Sequence, residues 1–242
     1  MAELSERQNQ ILKDLIDEYI ETAEPVGSET LEKKYSLSVS PATIRNEMVK
    51  LTQLGFLRQP HTSAGRVPTP VGFKYYIANL MDKKALSVAE EVAAKEAIWD
   101  FRFEFDRLIQ EVTRALAQRT KALAVATTKD GDLYSAGYAN ILEVPEFFDI
   151  DVTRSVLALL DESGQLQSIL DKALGEDTIH ILFGEDLERE FLQPCSLVFT
   201  HFQAGPQSGA LGVIGPSRLN YSRVIPVVEY FGNLIREMAK NW

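Results

Sequence analysis

The sequence predicts an α+β chain in two parts, and three observations carry that expectation. Residues 1–81 read as three helices, two short extended segments around a polar tip and a closing helix. A polar linker and a long amphipathic stretch follow. Beyond these, short apolar runs bounded by turn residues alternate with helical periodicity, the pattern of an antiparallel sheet flanked by long helices. Of the 242 residues, 45% are hydrophobic and 25% charged, proportions of a globular chain that exclude disordered and collagenous classes. No run approaches the roughly 18 apolar residues of a membrane span.

Each element has a local cause. Over residues 5–22, Ile11, Leu12, Leu15, Ile16, Tyr19 and Ile20 recur at helical spacing, Ser5 can cap the start, and Pro25 marks the stop. The turn Glu24-Pro25-Val26-Gly27-Ser28 leads into a short helix over 28–35, with Ser28 expected as its cap and Leu31 and Tyr35 pointing inward. Ser40-Pro41 places a capping hydroxyl before proline at the first helical position, so a third helix starts there, buries Ile44, Met48 and Leu51, and ends at Gly55. The segments 56–60 and 66–68 then read as a hairpin around the tip His61-Thr62-Ser63-Ala64-Gly65, and a helix resumes over 70–83. Three helices, a hairpin and a closing helix make a winged helix-turn-helix domain ending near Met81.

The second domain spans 85–242. A helix expected from residue 90 to about 121 carries the stripe Ile98, Phe101, Phe105, Leu108, Val112 and Leu116. Strands are expected over 123–127, 179–184, 196–202 and 209–215, and helices over 152–160 and 221–238. Two large aromatics on one stripe exceed what a small domain easily covers, so Phe101, Phe105, Leu108 and Val112 are the candidate homodimer interface, formed by a symmetric helix pair.

Charge is segregated. The chain carries −10 overall, yet between Lys33 and Tyr76 seven basic residues stand against Glu47 as the sole acid. Local positive charge on an acidic chain suits a nucleic-acid-contacting module beside a separate body. With Ile44, Met48 and Leu51 buried, 100° per residue turns Ala42, Asn46, Val49 and Gln53 outward, flanked by Thr43, Arg45 and Lys50, with Ser40 at the cap. Asn and Gln can bond adenine edges, Arg guanine, and Ala and Val thymine methyls, while Thr and Lys reach phosphates. In the wing, His61, Thr62, Ser63 and Arg66 are candidates for phosphate or minor-groove contacts.

Catalysis is not expected. Cys195, His180 and His201 share a domain, but the histidines sit inside apolar strand-like runs and Cys195 follows Pro194 at a strand entrance, where a buried thiol is the ordinary outcome. No metal-ligand spacing or glycine-rich phosphate loop is present, so no cofactor is implied. One cysteine and an N-terminal run without an apolar leader point to the cytoplasm.

Several of these runs resemble one family. Glu24-Pro25-Val26-Gly27-Ser28, Ser40-Pro41-Ala42-Thr43-Ile44-Arg45-Asn46-Glu47-Met48, and Leu54-Gly55-Phe56-Leu57 with the run from Gln59 to Pro68 are similar to the DNA-binding domain of the heat-inducible transcription repressors HrcA. The run from Leu211 to Ile225, and the run from Ala139 to Phe147, resemble the same family's second domain. The resemblance implies a GAF-like second domain, double-stranded DNA with an inverted-repeat operator ahead of chaperone operons as partner, and tuning by the GroEL chaperonin. The chain departs from the family pattern between about Ala126 and Tyr134, where family members are much longer and carry an inserted dimerisation domain. The second domain is therefore a reduced one, and its sheet is expected to lose cover. The alternative expectation is a winged-helix regulator controlled by a small ligand in the GAF-like domain, which a polar, ligand-sized cavity there would favour.

Overall fold

A computed structural model describes residues 4–37, 39–172, 178–187 and 189–238. The chain divides into two compact units, Met1–Asp82 and Lys83–Trp242.

In the first unit, α1 (Glu6–Thr22) begins with a capping box: the Gln8 amide donates to Ser5 Oγ at 3.3 Å and the Ser5 amide donates to the Gln8 side chain at 3.0 Å. Helices α2 (Ser28–Tyr35) and α3 (Pro41–Gln53) pack beneath it, burying Ile11, Leu12, Leu15, Ile16, Leu31, Ile44 and Leu51 completely. Each such side chain contributes about 1.5–3 kcal/mol through burial. Ser40 caps α3, accepting from the Thr43 amide at 3.2 Å, with Pro41 in the first turn. Gly55, at φ +83°, turns the chain into β1 (Leu57–Arg58), which pairs antiparallel with β2 (Val67–Pro68). Helix α4 (Pro70–Asn79) closes the unit, seated so tightly that a Cβ on Gly72 would lie 2.2 Å from the Phe56 carbonyl oxygen. One expectation fails here. Ser28 is the first residue of α2 and not its cap; Gly27 holds the cap position and supplies no side-chain acceptor.

The second unit is a five-stranded antiparallel sheet in the order β4-β3-β7-β6-β5, formed by β3 (Leu123–Thr128), β4 (Leu133–Ala136), β5 (His180–Phe183), β6 (Cys195–Ala204) and β7 (Gln207–Pro216). One face packs on α6 (Phe105–Thr120) and α10 (Tyr221–Met238), where Gly232 comes so close to Thr200 that a Cβ would lie 2.5 Å from its methyl. On the other face Leu123, Val125, Leu197, Phe199 and Ile214 form one core with Val152, Val156 and Leu159 of α8 (Ile150–Asp161) and Leu166 and Leu170 of α9 (Ser163–Lys172). Every residue of β3 is buried, so the central strands are covered on both sides, contrary to the expected loss of cover. The architecture is α+β with an antiparallel sheet, consistent with a GAF-like fold.

The expected helix over 90–121 is two: α5 (Val88–Trp99) and α6, separated by successive tight turns over residues 100–104. Arg102 sets the break. Its guanidinium donates to the Trp99 carbonyl at 2.7 Å, beside the Arg102 amide, which donates to the same oxygen at 3.3 Å, and lies 4.6 Å and 4.4 Å from the Trp99 and Phe103 ring centroids. The short elements β4 and α7 (Tyr138–Leu142) and the helix α9 were not anticipated.

Candidate nucleic-acid interface

Helix α3 divides as its periodicity requires. Ile44, Glu47, Met48 and Leu51 face the core; Ala42, Arg45, Asn46, Val49, Lys50 and Gln53 are exposed, Ser40 is exposed at the cap, and Thr43 is half-buried beside it. The outward face is an unbroken strip of amide, guanidinium, ammonium and small apolar groups, the inventory that reads base edges and phosphates in a major groove. Three of its polar side chains are occupied. Ser40 and Thr43 share a hydroxyl hydrogen bond of 3.0 Å, and Lys50 Nζ lies 2.9 Å from Glu47 Oε1.

Glu47 positions the helix. Its carboxylate accepts from Lys50 Nζ and from Gln8 Nε2 at 3.1 Å, tying α3 to the start of α1. The Lys50 hydrogen bond, the Gln8 hydrogen bond and the Lys50 charge hold its pKa below the ordinary value of 4.5 against the opposing effect of burial. The sole acid of the basic segment is thus neutralised internally.

The wing tip is ordered by a residue that the sequence reading passed over. Gln59 Nε2 donates to both the Thr62 and the Ala64 carbonyls at 3.0 Å, fixing a loop from which His61, Thr62 and Ser63 project into solvent. A polar amide immediately before a proline-containing tip was the available signal. Arg66 is not a free arm. It is half-buried, donates through Nε to Thr52 Oγ1 at 3.2 Å, and its main chain exchanges two 2.9 Å hydrogen bonds with Val26. Arg66 therefore locks the wing base to the end of α3 and to the turn before α2. Gly65 permits this approach, since a Cβ there would sit 2.3 Å from the Val26 oxygen.

The candidate dimer residues of the second unit do not form a surface. Leu108 and Val112 are fully buried in their own unit, Phe105 packs on Phe202 with ring centroids 6.5 Å apart, and Phe101 is half-buried. Once the stripe is interrupted at residues 100–104, α6 turns its apolar side to its own sheet; the proposed helix pair through these four residues is corrected accordingly.

The nucleophile candidates are also separated. Cys195 is fully buried, and burial, with a smaller effect of the Glu146 charge, pushes its thiol up to about 12, far from a reactive thiolate. His201 lies six residues along the same strand, about 20 Å at strand rise, and its ring stacks edge-on against His180 at 5.2 Å. Among the described residues no group of three or more His, Cys, Asp or Glu could hold a metal ion, and no helix is long and apolar enough to cross a membrane.

A polar cleft does occur in the second unit. It has a volume of about 470 Å³ and is lined by Thr127, Lys129, Gln167, Asp171, His201 and Arg236 among others. The register β3–β7–β6 places Thr127, Ala210 and His201 side by side across the sheet, and His201 Nε2 is buried with no hydrogen-bond partner among the described residues.

Two family models match the chain: the winged helix-turn-helix transcription repressor HrcA DNA-binding domain over residues 3–85, and the HrcA protein C-terminal domain over residues 74–225. The chain belongs to the HrcA family. Curated relatives named heat-inducible transcription repressor HrcA include that of Desulforamulus reducens, 29% identical, with 98% of each chain covered, and that of Desulforudis audaxviator, 28% identical with the same coverage. Those alignments run over 339 positions against the 242 residues of this chain, so the family members carry a long stretch without counterpart here. A crystal structure described as that of a hypothetical protein superposes with a TM-score of 0.79 at 19% identity, covering 99% of both chains, and shares the fold.

Proposed function

We propose that this chain is a non-enzymatic transcription repressor that binds an inverted-repeat operator ahead of chaperone operons as a homodimer, with its activity tuned by a GroEL-type chaperonin. The observation that carries the reading is the exposed strip of α3, Ala42, Arg45, Asn46, Val49 and Gln53, set on a segment in which seven basic residues meet a single, internally paired acid. A single winged helix offers an interface of about 600–1,000 Å², too little to select one site in a genome, whereas a two-fold dimer doubles the contacts and fixes half-site spacing. Family members are named heat-inducible repressors, which supports the choice of targets.

The test is a salt-resolved binding series on duplexes taken from upstream of the organism's own chaperonin operon, against shuffled duplexes of equal length. Preference for the native duplex, retained as salt rises, is the expected result. Equal binding to both, or none to either, removes the repressor reading.

A second reading, control by a small ligand, is favoured by the polar cleft at Thr127, Lys129 and His201 and by the unpartnered His201 nitrogen. Thermal shifts with a panel of small polar acids separate the two. A ligand that raises the melting temperature and alters duplex binding, with both effects lost in His201→Ala, supports it; no response across the panel leaves the chaperonin-tuned repressor.

A further inference from the structure

The turn Glu24-Pro25-Val26-Gly27-Ser28 serves the fold only in part, and its far end opens on a cleft of about 390 Å³ between α2, α3 and the wing. Gly27, Ser28, Arg45, Ser63 and Arg66 are among its walls. Three features converge there. Helix α2 begins without a side-chain cap, and the amides of Ser28, Glu29 and Thr30 have no acceptor among the described residues. Ser28 is only 6% exposed, yet its hydroxyl makes no hydrogen bond among the described residues. Arg66 uses Nε and one terminal nitrogen on Thr52 and Gly65, and Arg45 forms no ion pair among the described residues. Glu29, in the same first turn, is exposed and does not line the cleft.

An uncapped helix start concentrates free N–H donors and partial positive charge, which is an anion site when nothing else fills it. The Ser28 hydroxyl lines the same cleft and adds one more donor beside those amides. The wing base closes the cleft on the side of Gly65 and Arg66, and its volume exceeds that of a bare phosphate, leaving room for the sugar of a nucleic-acid strand. We propose that this cleft seats one phosphate of the DNA backbone, held by the α2 amides and the Ser28 hydroxyl and flanked by Arg66. The proposal rests on the DNA-binding reading and adds a clamp outside the strip that faces the bases, one that fixes where α3 sits in its groove.

Gly27 allows a decisive substitution. Its φ of −92° suits any residue, and a Cβ there would meet only Thr30 Oγ1, at 3.8 Å. Gly27→Asp should cap α2 with its own carboxylate, leaving the melting temperature at or above that of the unmodified chain, while filling the seat with negative charge. Binding to a random-sequence duplex, followed by fluorescence anisotropy over a salt series, should weaken about tenfold at low salt, with the slope of log K against log salt shallower by about 0.9. Ser28→Ala should weaken all duplexes about threefold without changing sequence preference.

A folded Gly27→Asp chain with unmodified affinity and slope overturns the seat while leaving the DNA reading intact. Failure of the unmodified chain to bind any duplex removes the DNA reading and the occupant together. If inorganic phosphate raises the melting temperature of the unmodified chain and not of Gly27→Asp, while both bind DNA equally, the cleft takes a free anion and the DNA-phosphate assignment is overturned.

Discussion

Arg45 and Asn46 occupy the middle of the exposed strip, one residue apart and both outward, because Ile44 and Met48 hold the helix by its other side. Replacing either with alanine should cost about 1–3 kcal/mol of operator affinity and relax discrimination at one base position, since a bidentate base contact is lost while the phosphate contacts remain. A competition series between operator and single-base variants measures it; unchanged discrimination in a folded variant refutes the base-reading role. Glu47 gives a pH dependence of opposite origin. Its carboxyl is more acidic folded than unfolded, so its stabilising contribution is present above the ordinary glutamate value of 4.5 and is lost as pH falls through the depressed folded value. Urea unfolding at pH 7 should show Glu47→Gln less stable by about 1 kcal/mol, and the gap should close on acidification below pH 4.5. A gap that widens on acidification contradicts the assignment.

The elements differ in how plainly the chain announces them. Ser40-Pro41, the spacing of Ile44, Met48 and Leu51, and Gly55 all act within a few residues, so α3 and its outward strip were legible. The anchoring of Arg66 on Thr52, and the place of Ser28 inside α2 with Gly27 at the cap, were not legible, because the folded chain alone brings these groups together. The break at residues 100–104 was hidden because Ile98, Phe101 and Phe105 keep helical spacing straight across it; β4 and α7 are too short for any period to register. That break redirects the dimer argument. Ala94 and Ile98 are the buried side of α5, while Val88, 77% exposed, Val92 and Trp99, 44% exposed, lie four and seven residues apart on one exposed side. If the proposed homodimer forms, these exposed side chains of α5 are the apolar surface that a second copy of this chain would cover. Light scattering at micromolar concentration should report a dimer that Trp99→Glu converts to a folded monomer, whereas Leu108→Glu should unfold the second unit. A dimer indifferent to Trp99→Glu refutes the α5 pair.

At the scale of the molecule, heat response must come from something other than an uncovered sheet, because both faces of the central strands are filled. What the second unit does expose is a short apolar segment at the entrance to α8: Leu142, Phe148, at 71% exposure, and Ile150, a cluster of large side chains within nine residues of chain. Such a segment invites association between copies as well as capture by an apolar chaperonin rim. Under the proposed chaperonin control, capture of the folded chain would stabilise it by mass action, and the stabilisation would fall as heat-unfolded clients occupy the chaperonin, releasing the operator. Phe148 and Ile150 are exposed and belong to no part of the buried core, so the fold should persist in Phe148→Ser with Ile150→Ser. Unmodified chain held at heat-shock temperature should lose operator binding and recover it when chaperonin is supplied. The double variant should stay soluble longer on its own and gain less than half as much from chaperonin. Equal chaperonin rescue of both chains would place the recognised surface elsewhere, and an unmodified chain that keeps its operator throughout heating, with or without chaperonin, would remove the feedback itself.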